Sequence, residues 1–210
     1  MKKLLIVLIF LFTSYVFSQG NEERIDSIIS IETNQLLETG ITDFFVVKSY
    51  CFNMLRSNDN SGCNISGTKY LAYIFWNSKK KYYVRKIDMC GRYELMKIRK
   101  GPLSFFRKNI GQLNEETMHF YSLGLDSIVG DKVYSTVLLK NHTCHRKFQF
   151  YNDDKIVKKR FDFFWLTNEA ENPNVYFESN NKLSIVKLND ICDTFINELE
   201  KENKFVRTEN

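Results

Sequence analysis

Lys69-Tyr70-Leu71-Ala72-Tyr73-Ile74-Phe75-Trp76 is the stretch on which the fold class turns. Its aromatic and aliphatic residues suit a pleated strand. Alternation sets Tyr70, Ala72, Ile74 and Trp76 on one face and Leu71, Tyr73 and Phe75 on the other. Both faces are apolar, so the strand is expected inside a sheet and covered on both sides. Asn77-Ser78-Lys79-Lys80 then joins it to a second strand over Lys81 to Met89, and Arg92 to Ile98 adds a further one. Upstream, Asp43 to Asn53 is rich in Phe, Val and Tyr and reads as a strand of the same sheet. Short connections between successive strands predict antiparallel pairing.

Three helices frame these strands. Asn21 is placed to cap the first, with Glu22 and Glu23 near its positive end. Ile25, Ile28, Ile29, Leu36 and Leu37 form its apolar face, and Gly40 ends it in a left-handed conformation. Gly101-Pro102 opens the second, where Leu103, Phe106, Ile110 and Leu113 repeat at helical spacing. From Lys132 a second meander is expected. Val133, Val137 and Leu139 alternate with Tyr134, Thr136 and Leu138, and Cys144 to Tyr151 and Lys155 to Leu166 flank a turn at Asn152-Asp153-Asp154. On the later strand Val157, Phe161, Phe163 and Trp165 point inward. A short hairpin over Asn174 to Glu178 and Lys182 to Lys187 follows. Asn189 then caps a last helix striped by Ile191, Cys192, Phe195, Ile196 and Leu199. The predicted class is α+β: a mainly antiparallel sheet of two meanders, with helices near the N-terminus, in the middle and near the C-terminus, all packed on one face. No repeat or low-complexity linker divides residues 19–210, which are read as one domain.

The first residues carry an address. Lys2 and Lys3 precede an apolar run from Leu4 to Phe12, and Ser18 stands before a polar junction at Gln19-Gly20. This is the pattern of a cleavable export signal over residues 1–18. The run to Phe17 is short for a span, which needs about 20 apolar residues. The chain is therefore expected to be exported, to a bacterial periplasm or beyond, with no span in the mature part. Removing the signal lowers Lys+Arg from 30 to 28 against 25 Asp+Glu, a net charge of +3 that names no partner. A hydrophobic content of 43% excludes disorder for most of the chain.

Five cysteines, Cys51, Cys63, Cys90, Cys144 and Cys192, would meet an oxidising compartment after export. The odd count leaves at least one without an intrachain partner. Cys51 and Cys63 flank the polar loop Asn58-Asp59-Asn60-Ser61-Gly62, and that pair is the expected bridge.

Chemistry-bearing groups are sparse. His142-Thr143-Cys144-His145 is the densest set of potential ligands, but no spacing supplies the four donors zinc needs, and no metal or cofactor is expected. No GxSxG is present, and no local pattern marks a catalytic cysteine. Among carboxylate pairs, only Glu115/Glu116 lacks an evident structural role. From Lys79 to Lys108 there are eleven Lys/Arg and only two acids, Asp88 and Glu94. Tyr82, Tyr83, Tyr93 and Phe105 interleave with them as on a nucleic-acid surface. Export disfavours nucleic acid and favours an acidic protein, lipid headgroup or anionic envelope polymer. Lys79, Lys80, Lys81, Arg85 and Lys86 are the candidate binding residues of this basic hairpin. The functional expectation is a non-enzymatic exported protein that binds another macromolecule. A small hydrolase assembled from His119, His142 or Glu115 is the alternative, and an immunity or inhibitor protein against a secreted toxin is a third.

Overall fold

The computed structural model describes residues 22–51, 69–124, 127–134, 136–141 and 143–208. A first helix, α1, runs over residues 22–38. The strands β1 (Phe44–Cys51), β2 (Lys69–Ser78), β3 (Lys81–Asp88), β4 (Gly91–Arg92) and β5 (Met96–Ile98) follow. Helix α2 (Pro102–Glu115) comes next, then β6 (Ser127–Val129), β7 (Lys132–Tyr134), β8 (Cys144–Asn152) and β9 (Lys155–Asp162). A 3-10 turn (Phe163–Leu166) and helices α3 (Phe177–Lys182) and α4 (Ser184–Lys201) complete the order.

The main sheet has seven antiparallel strands in the order β4-β3-β2-β1-β8-β9, with β5 also paired to β3. The α+β class is as the sequence predicts. The second meander is not continuous: β6 and β7 make a separate two-stranded sheet, and only β8 and β9 join the main one. Strand β2 sits between β1 and β3, apolar on both sides as its composition demands.

The two sides of β2 meet different helices. Ala72, Ile74 and Trp76 share one core with Phe44, Val46 and Ile87 and with Ile25 and Ile29 of α1. Tyr73 and Phe75 share the other with Leu103, Phe106 and Leu113 of α2 and with Leu188, Cys192 and Ile196 of α4. This corrects the expectation that all helices pack on one face: α1 takes the opposite side. A sheet apolar on both faces needs a cover on each, at about 1.5–3 kcal/mol for every large side chain removed from water. Phe45 centres the α2/α4 side, with ring centroids 5.0 Å from Phe75 and 5.2 Å from Phe106.

Helix α1 ends as its sequence suggests. Gly40 takes φ 75, its N–H donates to the Leu37 carbonyl at 2.9 Å, and the Ile41 N–H donates to Leu36 at 2.9 Å. These are the two bonds that close a helix through a left-handed residue. The capping residue expected at Asn21 lies outside the described residues.

The hairpin expected over 174–187 is helical instead: α3 covers Phe177–Lys182, and α4 begins at Ser184 rather than near Asn189. No side chain of its own caps α4. Glu116, just past α2, does so from a distance, accepting from the Ser184 N–H at 2.7 Å and its hydroxyl at 2.9 Å. The strand expected to run to Leu166 stops at Asp162, whose carboxylate accepts from the Phe164 N–H at 2.8 Å and turns the chain. Two buried asparagines hold the irregular segments. Asn180 accepts from the His119 N–H at 3.0 Å and donates to the His119 carbonyl at 2.8 Å, and Asn174 accepts from the N–H groups of Ser122 and Tyr176.

Candidate functional site

Register decides which side chains meet on the α1 side of the sheet. Lys48 of β1 stands opposite Lys147 of β8, which stands opposite Arg160 of β9. The next row on that face is Val46, Gln149 and Lys158, and the row beyond is Phe44, Tyr151 and Ile156. Helix α1 packs over β1, β2 and β3, and its flank borders a groove of about 640 Å³ with β8 and β9 as its floor. Asp26, Ser30, Thr33 and Asn34 form the helical wall. Exposed Ile156 and half-buried Leu37 make its apolar part.

Charge in the groove is unbalanced. Lys48 is paired with Asp26 at 2.6 Å, and Lys147 with Glu22 at 2.6 Å. Burial alone would lower the pKa of Lys147, but the hydrogen bond to Glu22 and the proximity of Tyr50 outweigh it and hold the ammonium charged. Lys158 and Arg160 have no carboxylate partner among the described residues. Two cations are thus left over on a floor walled by hydroxyl and amide groups. Paired Lys48 and Lys147 add to the field without being free.

At the end of this face, His145 Nδ1 lies 3.1 Å from Asp162 Oδ2 and 3.3 Å from the Arg160 guanidinium. It can donate to the carboxylate or accept from the arginine, not both; the shorter contact and the acceptor favour donation. Burial lowers the His145 pKa, Arg160 and Lys147 push the same way, and Asp162 opposes them. The ring is therefore neutral at pH 7. Asp162 also accepts from the Thr143 hydroxyl, so its oxygens serve the ring, the hydroxyl and the turn after β9.

The basic hairpin divides. Lys79 and Lys80 form the turn itself, with φ of 49 and 63, and are exposed with Lys81. Arg85 and Lys86 are consecutive in β3 and take opposite faces. Arg85 pairs with buried Glu32 of α1 at 2.5 Å, and Lys86 with Glu200 of α4 at 2.7 Å. The five residues do not make one surface; the turn lysines alone remain as a cationic tip.

The remaining candidates are dispersed. His119 stacks on Tyr176 at 4.1 Å in a cavity of about 250 Å³ that Ser122 also lines, without a carboxylate. The Ser122 hydroxyl is directed at the carbonyls of Gly124 and Thr136, at 2.6 and 2.9 Å. Glu115 is exposed on the last turn of α2. His142 and Cys63 lie outside the described residues. Trp76 is buried against Tyr83, and half-buried Trp165 packs on the α2/α4 core with exposed Phe120 edge-on to its ring, so both are packing residues. Among the described residues no three His, Cys, Asp or Glu side chains form a metal-holding group.

Cys51 is bonded to Cys144, not to Cys63. The two stand opposite each other at the end of the β1–β8 ladder, 93 residues apart in sequence, and cross-strand apposition brings their Cβ atoms together. Cys90 is also disulfide-bonded. Cys192 is a free thiol, fully buried, and burial pushes its pKa up, so it stays protonated and inert.

The groove was not anticipated from sequence. Its one legible sign was that Lys147, Lys158 and Arg160 fall at alternate positions of two strands already assigned. No described helix is long and apolar enough to cross a membrane. No family model, no curated protein and no solved structure matches the chain.

Proposed function

We propose that this is an exported, non-enzymatic binding protein that holds an anionic macromolecule in the groove between α1 and the β8–β9 hairpin. The observation that carries the reading is the pair of uncompensated cations, Lys158 and Arg160, on the open floor of that groove. Fixed positive charge without matching acid attracts an anion and speeds encounter. Disulfides at Cys51–Cys144 and at Cys90 fit an oxidising destination for the chain. Export itself is tested by sequencing the N-terminus of the protein recovered outside the cytosol, where Gln19 is expected as the first residue.

The binding test compares two double variants of the full chain, Lys158→Glu/Arg160→Glu and Lys79→Glu/Lys80→Glu, titrated with fluorescent poly-L-glutamate. The groove variant is expected to lose at least about tenfold in affinity, or about 1.4 kcal/mol, and the turn variant less than about twofold. The opposite order would return the site to the hairpin tip. A hydrolase reading keeps one observation, that His119 and Ser122 line one cavity. With the Ser122 proton held by main-chain carbonyls, no ester, glycoside or phosphate hydrolysis is expected, and activity abolished by His119→Ala would overturn the proposal. An inhibitor of a secreted toxin would be a special case of the same surface, with a single tight partner.

A further inference from the structure

The outer border of the groove is β9, the last strand of the sheet. We infer that the anionic partner is a polypeptide, an acidic extended segment of which adds to the free edge of β9 as a further strand, with its carboxylates on Lys158 and Arg160. This rests on the binding reading above and specifies its ligand.

The chain treats its two sheet edges differently. Beyond β3, the edge is occupied by β4 and β5, and the C-terminal tail continues the cover. Glu94 N–H donates to the Val206 carbonyl at 2.7 Å, and Thr208 N–H to the Arg92 carbonyl at 3.3 Å. Arg207 locks the tail with two bonds to Asp88, at 3.0 and 2.7 Å. At the other edge, β9 pairs only with β8 among the described residues.

The backbone groups on that edge can be assigned. Asp153-Asp154 is a two-residue turn, so the flanking pair Asn152–Lys155 exchanges both of its hydrogen bonds. Alternation then turns the N–H and C=O groups of Ile156, Lys158 and Arg160 outward, away from β8. The same rule is met at the β2–β3 hairpin, whose two-residue turn requires the Lys86 carbonyl to face away from β2. That carbonyl accepts from the Tyr93 N–H at 2.9 Å.

Side chain and backbone therefore coincide at three positions of β9. Ile156, Lys158 and Arg160 point their side chains into the groove and their hydrogen-bonding groups at the edge. A strand laid there would set alternate side chains within about 5 Å of these three, so two acids and one apolar residue at alternate positions complement the row. Cations on an edge deter pairing between copies, because antiparallel apposition of two β9 strands would crowd their lysines and arginines. The same charges admit a strand of opposite sign. A polyanion without amides satisfies the charges and leaves the outward N–H and C=O groups unused.

The test uses the full chain and three probes: the acetylated peptide Val-Thr-Glu-Thr-Glu-Thr-Val, the same peptide N-methylated at alternate residues, and polyphosphate. Affinities are read by displacement of fluorescent poly-L-glutamate, up to about 1 mM of each probe. The unmodified peptide is expected to bind. N-methylation, which removes edge hydrogen bonds and keeps every charge, should weaken it at least about tenfold, as should Lys158→Glu/Arg160→Glu. Equal affinity for the two peptides, or displacement by polyphosphate alone, would overturn the strand mode and leave the anion reading standing. Failure of all three probes and of poly-L-glutamate would overturn both.

Discussion

The Cys51–Cys144 bridge makes the most quantitative prediction about stability. Replacing both residues by alanine opens a loop closed across 93 residues. In the chain-entropy relation a loop of that length is worth about 15.6 cal/mol/K, or about 4.6 kcal/mol at 25 °C. Residual structure in the unfolded chain makes this figure a ceiling. The native ladder loses little, because an alanine pair fits the end of β1 and β8 and the remaining register is untouched. The effect should therefore be a drop of about 3–4.6 kcal/mol in urea unfolding, with an unchanged near-UV spectrum. The slope against denaturant should be steeper, since the unfolded chain is freed and exposes more surface. A thiol titration on the natural chain, with the labelled peptides mapped, completes the assay: of the described cysteines Cys192 alone should react in unreduced denaturant, and none in the folded state. A loss below about 1 kcal/mol, or labelling of Cys51 or Cys144 in the unreduced denatured chain, would refute the reasoning.

Other outcomes follow from single contacts. Glu32 is 6% exposed and accepts from Arg85 at 2.5 Å and Arg92 at 2.9 Å, fastening α1 to the sheet. Glu32→Ala strands the Arg85 charge and should cost about 3–5 kcal/mol in urea unfolding; a loss below about 1 kcal/mol would show that α1 is held by its isoleucines alone. Lys79 and Lys80 occupy left-handed positions that Asn-Gly fills at little strain, so Lys79→Asn/Lys80→Gly should stabilise by about 1–2 kcal/mol, and destabilisation would contradict the turn assignment. Acidification should weaken the fold in two windows. The His145 pKa is depressed below 6.5, chiefly by burial, so its stabilising contribution is present above 6.5 and lost as pH falls through the folded value. Burial alone would raise the Asp88 carboxyl, but the bonds from Arg207, Tyr93 and the Cys90 N–H hold it below 3.8, so its contribution survives to lower pH before it too is lost. Urea midpoints between pH 7.5 and 3 should fall in that order, His145→Gln should remove the first step, and midpoints that rise on acidification would contradict both assignments.

The legibility of this chain is uneven for physical reasons. Residues 69–76 announced an internal strand, and the structure covers it on both sides. The same reading should have placed a helix on each face, but an amphipathic helix shows which of its own sides is buried, not which side of a sheet it takes. Ile25 and Ile29 look no different from Leu103 and Phe106. Lys182 to Lys187 reads as the second strand of a short hairpin, while the cap that starts α4 comes from Glu116, a residue with no local trace in that segment. Arg85 and Lys86 were grouped by composition although a strand must send consecutive side chains apart. The bridge partner of Cys51 and the basic groove both depend on β1 and β8 being neighbours. Sequence does not encode such a long-range register in any short window.

Amide hydrogen exchange along β9 bears most directly on the claim that an acidic strand completes this sheet. In the free chain the N–H groups of Val157, Lys159 and Phe161 face β8 and should exchange slowly, while those of Lys158 and Arg160 should exchange fast. Adding the unmodified acidic peptide should slow Lys158 and Arg160 selectively and leave their neighbours as they were. Alternation that is missing in the free chain, or fast exchange at Lys158 and Arg160 with saturating peptide, would contradict the account.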